Sequence, residues 1–232
     1  MSSDSGLVIL VDVDNTLLDN DLVRDRLGER IRVELGASGA DQFWAIYEQI
    51  RITSGLVDFP TTIERFCREN PNHPPRERIH DIVFGFPFDE VVYHDAAAVV
   101  AHLETLGTAV ILSDGDDSFQ PHKVRASGLE RMFQGRVLIF VHKELEREKI
   151  EAAFPARHYV MIDDKPRIHP AMKSAFGERI TTVMVNQGHY AHDPTLRGFP
   201  GADIVIPEIG AVLDLSIEQL LGAAGAQPLA AG

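Results

Sequence analysis

The sequence predicts an α/β fold: a doubly wound parallel sheet forming a Rossmann-like core, with a helical cap domain. Short apolar runs recur along the chain, helical patterns separate most of them, and one long helical segment without a strand pattern follows the first run. Strands that alternate with helices are typical of this fold class. The 232 residues are enough for one large domain or for a domain with a sizeable insertion.

The apolar runs are the predicted strands. Each is largely apolar throughout, rather than alternating with polar residues, and this is typical of strands covered on both faces of a parallel sheet. In chain order the predicted strands are LVILV (7–11), TAVIL (108–112), RVLIFV (136–141), HYVMI (158–162), ITTVMV (180–185) and ADIVI (202–206).

Helical patterns lie between these strands. The segment DAAAVVAHLETLG opens with Asp95, which we expect as an N-cap, and closes with Gly107, which we expect at the C′ position. Two further helices are predicted from KELEREKIEAAF (143–154) and PAMKSAFGE (170–178). The alternation places helices on both faces of the sheet.

One segment, residues 19–91, contains no convincing strand run. Its patterns are helical (21–36, 41–55, 61–70 and 76–86), and NPNHPP (70–75) separates the last two. We therefore predict a catalytic core from residues 1–18 plus 92–225 and an inserted helical cap from residues 19–91. The small-residue-rich C-terminus predicts a disordered tail over residues 226–232.

The amino-acid composition limits the classes of binding partner and the cellular compartments that we expect. The net charge of -13 disfavours binding to nucleic acid and to anionic membranes. A single cysteine, Cys67, allows no intramolecular disulfide and fits a reducing compartment. The first apolar run is short, is interrupted by Asp12 and follows no basic region, so we expect no signal peptide. We expect a cytoplasmic protein whose oligomeric state is open.

Charged and polar residues follow the first four predicted strands, where ligands bind in open α/β sheets. Carboxylates gathered at one sheet edge repel one another unless a cation binds them. Magnesium prefers such oxygen ligands and often shares its coordination with a phosphate. The sequence therefore predicts a Mg²⁺ site and a phosphorylated substrate at the edge formed by Asp12, Asp14 and Thr16, by SDGD (113–116), by His142 and Lys143, and by Asp163, Asp164 and Lys165.

These strand ends resemble the motifs of the haloacid dehalogenase superfamily. The match consists of DVDNT (12–16), a serine after the second strand, a lysine after the third and a carboxylate pair after the fourth, in that order. The resemblance extends from Leu7 to about Val185. It implies that the helical segment 19–91 is a cap over the active site.

The resemblance implies a role for each matching residue. Asp12 corresponds to the nucleophile that forms an aspartyl-phosphate, and Asp14 to the general acid and base. Ser113 and Lys143 correspond to the clamp on the phosphate. Asp163 and Asp164 correspond to the metal motif, completed by an Asp12 oxygen and the Asp14 backbone carbonyl. Three further residues at these strand ends, Thr16, Asp114 and Gly115, are predicted to bind substrate.

Several assignments have structural alternatives. Asp14 and Thr16 alone would be typical of a turn and a helix cap, and Ser113 of a helix N-cap. Lys149 and Lys165 compete with Lys143 as the phosphate clamp. Adjacent residues of a strand point to opposite faces, so the direct metal ligand of the pair 163–164 is open.

Two other groups are better explained without a ligand. His189 and His192 lie three residues apart but have no further metal-ligating partners, so we interpret them as loop residues. The aromatic cluster Phe43, Trp44 and Tyr47 favours core packing of the cap.

The function predicted from these residues is Mg²⁺-dependent hydrolysis of a small phosphomonoester. A dehalogenase releases a halide, which needs no proton, and so it needs no acid at position 14. A phosphomutase shares the first chemical steps and stays open. A non-catalytic binding relative usually lacks a motif, and none is missing here. A two-component receiver domain would lack the insertion and would order its residues differently.

Overall fold

A six-stranded, fully parallel sheet forms the centre of the protein, with the strand order β3-β2-β1-β4-β5-β6. The computed structural model describes residues 5–55, 57–72, 74–192 and 201–222. The predicted tail, residues 226–232, lies outside the described residues. The strands are β1 Ser5–Val11, β2 Thr108–Asp114, β3 Val137–Phe140, β4 Ala156–Asp163, β5 Ile180–Val185 and β6 Ile204–Ile206.

The sheet confirms the predicted fold class, and all six apolar runs form strands. β1 lies between β2 and β4, and Leu10 pairs with Val110 on one side and Met161 on the other. Alternate residues of β1 enter two separate apolar cores: Ile9 packs in one and Leu10 in the other, both fully buried. Helices therefore cover both faces, and the carboxyl ends of all the strands lie at one edge.

Nine α-helices surround or extend from this sheet within the described part of the chain. They are α1 Asn20–Ser54, α2 Phe59–Glu69, α3 Arg76–Phe84, α4 Ala96–Leu106, α5 Phe119–Ala126, α6 Leu129–Met132, α7 Arg147–Ala153, α8 Ile168–Phe176 and α9 Ile217–Leu220. Short 3₁₀ turns span Phe88–Val91, Lys143–Leu145, Gly177–Arg179, His189–His192 and Ile209–Asp214. Among the helices so described, none is long and apolar enough to cross a membrane.

The inserted helices, α1 to α3, lie in the chain between β1 and β2. Gly36 has a left-handed backbone (φ 69°) and interrupts α1, so the two helical patterns predicted there form one bent element. Phe43 of α1 and Phe66 of α2 are fully buried, with ring centroids 5.6 Å apart. The division of the chain into a core and a cap stays a prediction.

Local details of two predicted helices differ from the structure. The helix expected over 143–154 begins only at Arg147, because the first residues form a 3₁₀ turn. Asp95 stands at the N-cap position of α4 but makes no capping hydrogen bond. Gly107 has an extended backbone rather than a left-handed one, and its lack of a side chain matters because a Cβ would lie 2.6 Å from the Leu7 carbonyl oxygen. Helix α5 was not predicted.

Candidate active site

Three buried aspartates meet at the carboxyl edge of the sheet. Asp12 follows β1, and Asp163 and Asp164 lie at the end of the adjacent strand β4. One carboxylate oxygen from each residue lies within 4.8 Å of the others. We call these three residues the carboxylate cluster. Both members of the pair 163–164 reach it, although they are neighbours in sequence.

Lys143 places a fully buried ammonium group against this cluster. Its Nζ lies 2.5 Å from Asp12 Oδ1 and 2.6 Å from Asp163 Oδ2. The alternative lysines make other contacts, although Lys165 is close enough to lower the pKa of Asp163. Lys149 is mostly exposed and pairs with Glu146, and Lys165 Nζ lies 3.5 Å from Asp114 Oδ2. Of the three lysines, the structure places Lys143 directly against Asp12.

The charges of the cluster strongly affect one another. Burial is the largest influence on Asp12 and raises its pKa to about 6, although the nearby Lys143 ammonium opposes this. Burial, together with Asp163 and Asp12, raises the pKa of Asp164 well above its usual value. Burial would also raise the pKa of Asp163, but Lys143 and Lys165 hold it below its usual value. Burial therefore makes the ionised forms of Asp12 and Asp164 costly.

The oxygens without partners suit a metal ion. Asp12 Oδ2 and both carboxylate oxygens of Asp164 are buried and have no hydrogen-bond partner among the described residues. Asp163 differs, because its Oδ1 accepts a hydrogen bond from the Lys165 backbone N–H at 2.8 Å and its Oδ2 lies 2.6 Å from Lys143 Nζ. Buried oxygens without partners are costly, and a hard divalent cation would satisfy them. The donor set fits Mg²⁺, with Asp12 and Asp164 offering the free oxygens.

Asp14 lies apart from the cluster and is held by α5. Lys123 Nζ lies 2.5 Å from Asp14 Oδ1, and Gln120 Nε2 donates to Asp14 Oδ2 at 3.3 Å. Neither α5 residue was identified from the sequence. Lys123 is separated from Asp14 by 109 positions and follows no strand directly, so its only sequence signal was a basic residue in an unassigned segment. The Asp14 side chain is not part of the carboxylate cluster.

Ser113 belongs to the same network. Its buried Oγ accepts a hydrogen bond from Gln120 Nε2 at 2.9 Å and donates to the Asp114 carbonyl at 3.3 Å. The alternative of Ser113 as a helix N-cap is wrong, because α5 begins only at Phe119. The Asp116 carboxylate instead accepts the Phe119 backbone N–H at 2.6 Å.

The other predicted substrate residues occupy different positions around the site. Asp114 Oδ1 accepts the Lys143 backbone N–H at 3.0 Å, so it supports the turn that carries the lysine. A Cβ at Gly115 would lie 2.4 Å from the Gln120 Cβ, so this glycine lets α5 approach the strand end. The Thr16 hydroxyl is buried and has no hydrogen-bond partner among the described residues.

A cavity of about 580 Å³ separates the strand ends from the inserted helices. Asp14, Asp114, Gly115 and Asp164 line its sheet side, whereas Asp12 and Asp163 are fully buried and do not line it. On the opposite side α1 contributes a set of residues that we call the helical wall: Arg24, Trp44, Tyr47, Glu48 and Arg51.

The helical wall corrects part of the aromatic interpretation. Phe43 is fully buried core, as expected, but Trp44 and Tyr47 are only partly buried and also line the cavity. His189 lines the cavity too, with its ring Nδ1 2.7 Å from Asp21 Oδ1. The side chain of His192 lies outside the part of the chain that the structure describes.

The sequence and the fold were compared with those of known proteins. No family model and no curated protein matches the sequence. Among solved structures, a haloacid dehalogenase-like hydrolase from Burkholderia xenovorans LB400 is 42% identical, with 91% of this chain and 99% of that chain covered and a TM-score of 0.85.

Two more distant structures share the fold alone. The HAD-hydrolase YfnB from Bacillus subtilis, bound to magnesium, is 16% identical, with 90% of this chain and 98% of that chain covered and a TM-score of 0.58. The 2-haloacid dehalogenase from Pseudomonas syringae pv. Tomato DC3000 is 15% identical, with 89% and 96% covered and a TM-score of 0.59.

Proposed function

The chain belongs to the haloacid dehalogenase-like hydrolases, and from this membership we propose that it is a Mg²⁺-dependent phosphatase of small phosphomonoesters. The observation that carries the proposal is the Asp14 carboxyl group, which lines the same cavity as Asp164 of the carboxylate cluster. An ester oxygen that leaves phosphorus as an alkoxide needs a proton, and Asp14 is the cavity-lining carboxyl group that follows Asp12 on the same strand end.

The proposed reaction proceeds through an aspartyl-phosphate on Asp12. One Asp12 carboxylate oxygen attacks phosphorus and the other stays available to the metal, while Lys143 Nζ lies 2.5 Å from Oδ1. The bond to the ester oxygen breaks, and Asp14, which enters this step as the neutral carboxylic acid, gives that oxygen its proton and becomes a carboxylate. Asp14 then takes a proton from a water that attacks the phosphorus, which frees Asp12 and releases inorganic phosphate. Bound Mg²⁺ would offset the negative charge of the carboxylates and of the phosphoryl oxygens.

The remaining residues bind and enclose the substrate in this proposal. Ser113 and Lys143 clamp the phosphoryl oxygens, and Thr16, Asp114 and Gly115 shape the site around them. The inserted helices act as the cap, and the cavity volume of about 580 Å³ suits a small metabolite rather than a polymer. The net charge of -13 argues against a nucleic-acid substrate. We also propose that the enzyme is cytoplasmic.

Two related activities make different demands on the site. A dehalogenase expels a halide without a proton, so the Asp14 carboxylate would serve no purpose as an acid. A phosphomutase would use the same first step and return the phosphoryl group to a second hydroxyl. The identity of the product therefore distinguishes a phosphatase from a dehalogenase and from a phosphomutase.

The deciding experiment is a release screen on the wild-type protein. Metabolite phosphoesters are incubated with and without Mg²⁺ and assayed for free phosphate, 2-chloroacetate is assayed for halide, and sugar phosphates are assayed for isomerised product. We expect phosphate release that requires Mg²⁺. Halide release or isomerisation without phosphate release would overturn the proposal.

A further inference from the structure

Helix α5 provides hydrogen-bond donors for both oxygens of Asp14. Lys123 Nζ binds Oδ1 at 2.5 Å, and Gln120 Nε2 binds Oδ2 at 3.3 Å. A carboxylate at the end of a strand has two rotatable bonds of its own. Contacts to both of its oxygens leave it little freedom to turn.

The lysine is well placed to hold this carboxylate. Lys123 is only 3% exposed, and besides Asp14 its ammonium donates to Asn20 Oδ1 at 3.2 Å. A buried ammonium is costly unless it is paired and hydrogen-bonded. Breaking the contact between Lys123 and Asp14 would therefore be unfavourable. Asn20 is the first residue of α1, so the same ammonium also bridges α5 and the inserted helices.

The glutamine ties the acid to the phosphate clamp. The Gln120 amide nitrogen that reaches Asp14 also donates to Ser113 Oγ at 2.9 Å. Gly115 makes this possible, because any side chain there would collide with Gln120. One amide therefore fixes the distance between the group that would protonate the leaving oxygen and the group that would bind the phosphoryl oxygens.

We propose that Lys123 and Gln120 are positioning residues for proton transfer by Asp14. The proposal rests on the proposed function, because it concerns the leaving group of a phosphate ester. Proton transfer requires the acid within about 2.6–3.2 Å of the leaving oxygen, and a misplacement of about 1 Å can cost roughly 100-fold in rate. Both residues also line the cavity, and the proposal assigns them to Asp14 because their side-chain nitrogen atoms contact its two carboxylate oxygens.

The test uses single-turnover rates on two substrates. An alkyl phosphate needs a proton on its leaving oxygen, whereas p-nitrophenyl phosphate leaves as a stable anion. We expect Lys123→Met to slow the alkyl phosphate about 10- to 100-fold more than p-nitrophenyl phosphate, and Lys123→Arg to restore part of the difference. Gln120→Leu should give a smaller selective loss. The matched control is Arg125→Met on the same helix, whose side chain is 64% exposed.

A double-mutant cycle separates positioning from general damage. In an Asp14→Asn background, Lys123→Met should add no further selectivity between the two substrates. Equal slowing of both substrates by Lys123→Met and by Gln120→Leu would overturn the positioning role while leaving the phosphatase proposal intact. If Lys123→Met does not fold, as judged by thermal unfolding, Gln120→Leu decides the matter alone. A wild-type protein that releases no phosphate from any ester would overturn both proposals.

Discussion

The two sides of the cavity are built in opposite ways. The carboxylate cluster, of which Asp164 lines the cavity, is 0–1% exposed, is carried by adjacent strands and faces the buried ammonium group of Lys143. The helical wall belongs to one helix, and it combines the partly buried rings of Trp44 and Tyr47 with solvated charges. Arg51 and Glu48 pair with each other there at about half exposure.

This difference matches the demands of the two tasks. Bond making needs atoms held in fixed positions in a site of low dielectric constant, where charges interact strongly. The buried ends of the strands supply the fixed positions and the exclusion of water. Recognition of the organic part of a substrate needs shape and a few charges, and α1 presents these at positions 44, 47, 48 and 51 on one helical face. Changes to the cluster should therefore abolish chemistry, and changes to the wall should alter substrate preference.

The largest effect is expected from Asp12→Asn. The amide keeps the shape of the side chain but is a poor nucleophile, so phosphate release should fall below detection. The fold should survive, because Lys143 keeps its contacts with Asp163 and the Leu112 carbonyl oxygen. Circular dichroism and a p-nitrophenyl phosphate assay test this, with the exposed Asp89→Asn as control. A folded variant with the wild-type rate would mean that Asp12 is not the nucleophile.

The second-largest effect is expected from removal of the metal, because this affects the same cluster but is reversible. Chelated protein should be inactive, and Mg²⁺ should restore activity and raise the melting temperature, since it binds the native site and little else. Calcium should bind but support turnover poorly, because its coordination is looser. In Asp164→Asn the rise in melting temperature should shrink, because this residue offers both free oxygens. Full activity in excess chelator would contradict the proposed metal dependence.

The sheet side was predictable because its signals are local. Each strand is a continuous apolar run, and parallel strands end at one edge, so the sequence alone was enough to bring DVDNT and the pair 163–164 together. The resemblance to haloacid dehalogenase-like proteins is confirmed by the similarity to the Burkholderia hydrolase. The catalytic roles of these residues stay predictions.

The positions of α5 and of the helical wall were not predictable, because they depend on contacts between segments that are distant in the sequence. Helix α5 carries Pro121 and His122 in its first half and has no clear apolar period, so Lys123 had no assigned position. Trp44 and Tyr47 follow the same helical spacing as core residues. Only the way α1 packs shows that Phe43 points into the core while Trp44 and Tyr47 line the cavity.

Asp14→Asn should have an intermediate and selective effect. General acid catalysis contributes about 10²–10⁴-fold, and only to leaving groups that need a proton. The variant should therefore slow an alkyl phosphate far more than p-nitrophenyl phosphate. The first turnover must be measured by rapid quench, because Asp14 also serves as the base for the second step. Equal slowing of both substrates would remove the acid role and, with it, the main reason for preferring a phosphatase to a dehalogenase.

The smallest effect is expected on the helical wall, from Arg24→Gln. Arg24 is exposed and lines the cavity opposite the cluster, so its guanidinium can attract a second acidic group on the substrate. Exposed ion pairs contribute little, so KM for an acidic metabolite phosphoester should rise only about two- to five-fold, with kcat unchanged. KM for p-nitrophenyl phosphate, which has no second acidic group, should not change. Arg26→Gln is the control, because Arg26 lies on the same helix near Glu90 and does not line the cavity. A fall in kcat would show that the wall takes part in the chemistry, and the same rise in KM for both substrates would show that Arg24 binds the phosphoryl group that they share. Either result would mean that the contrast between the two sides does not hold.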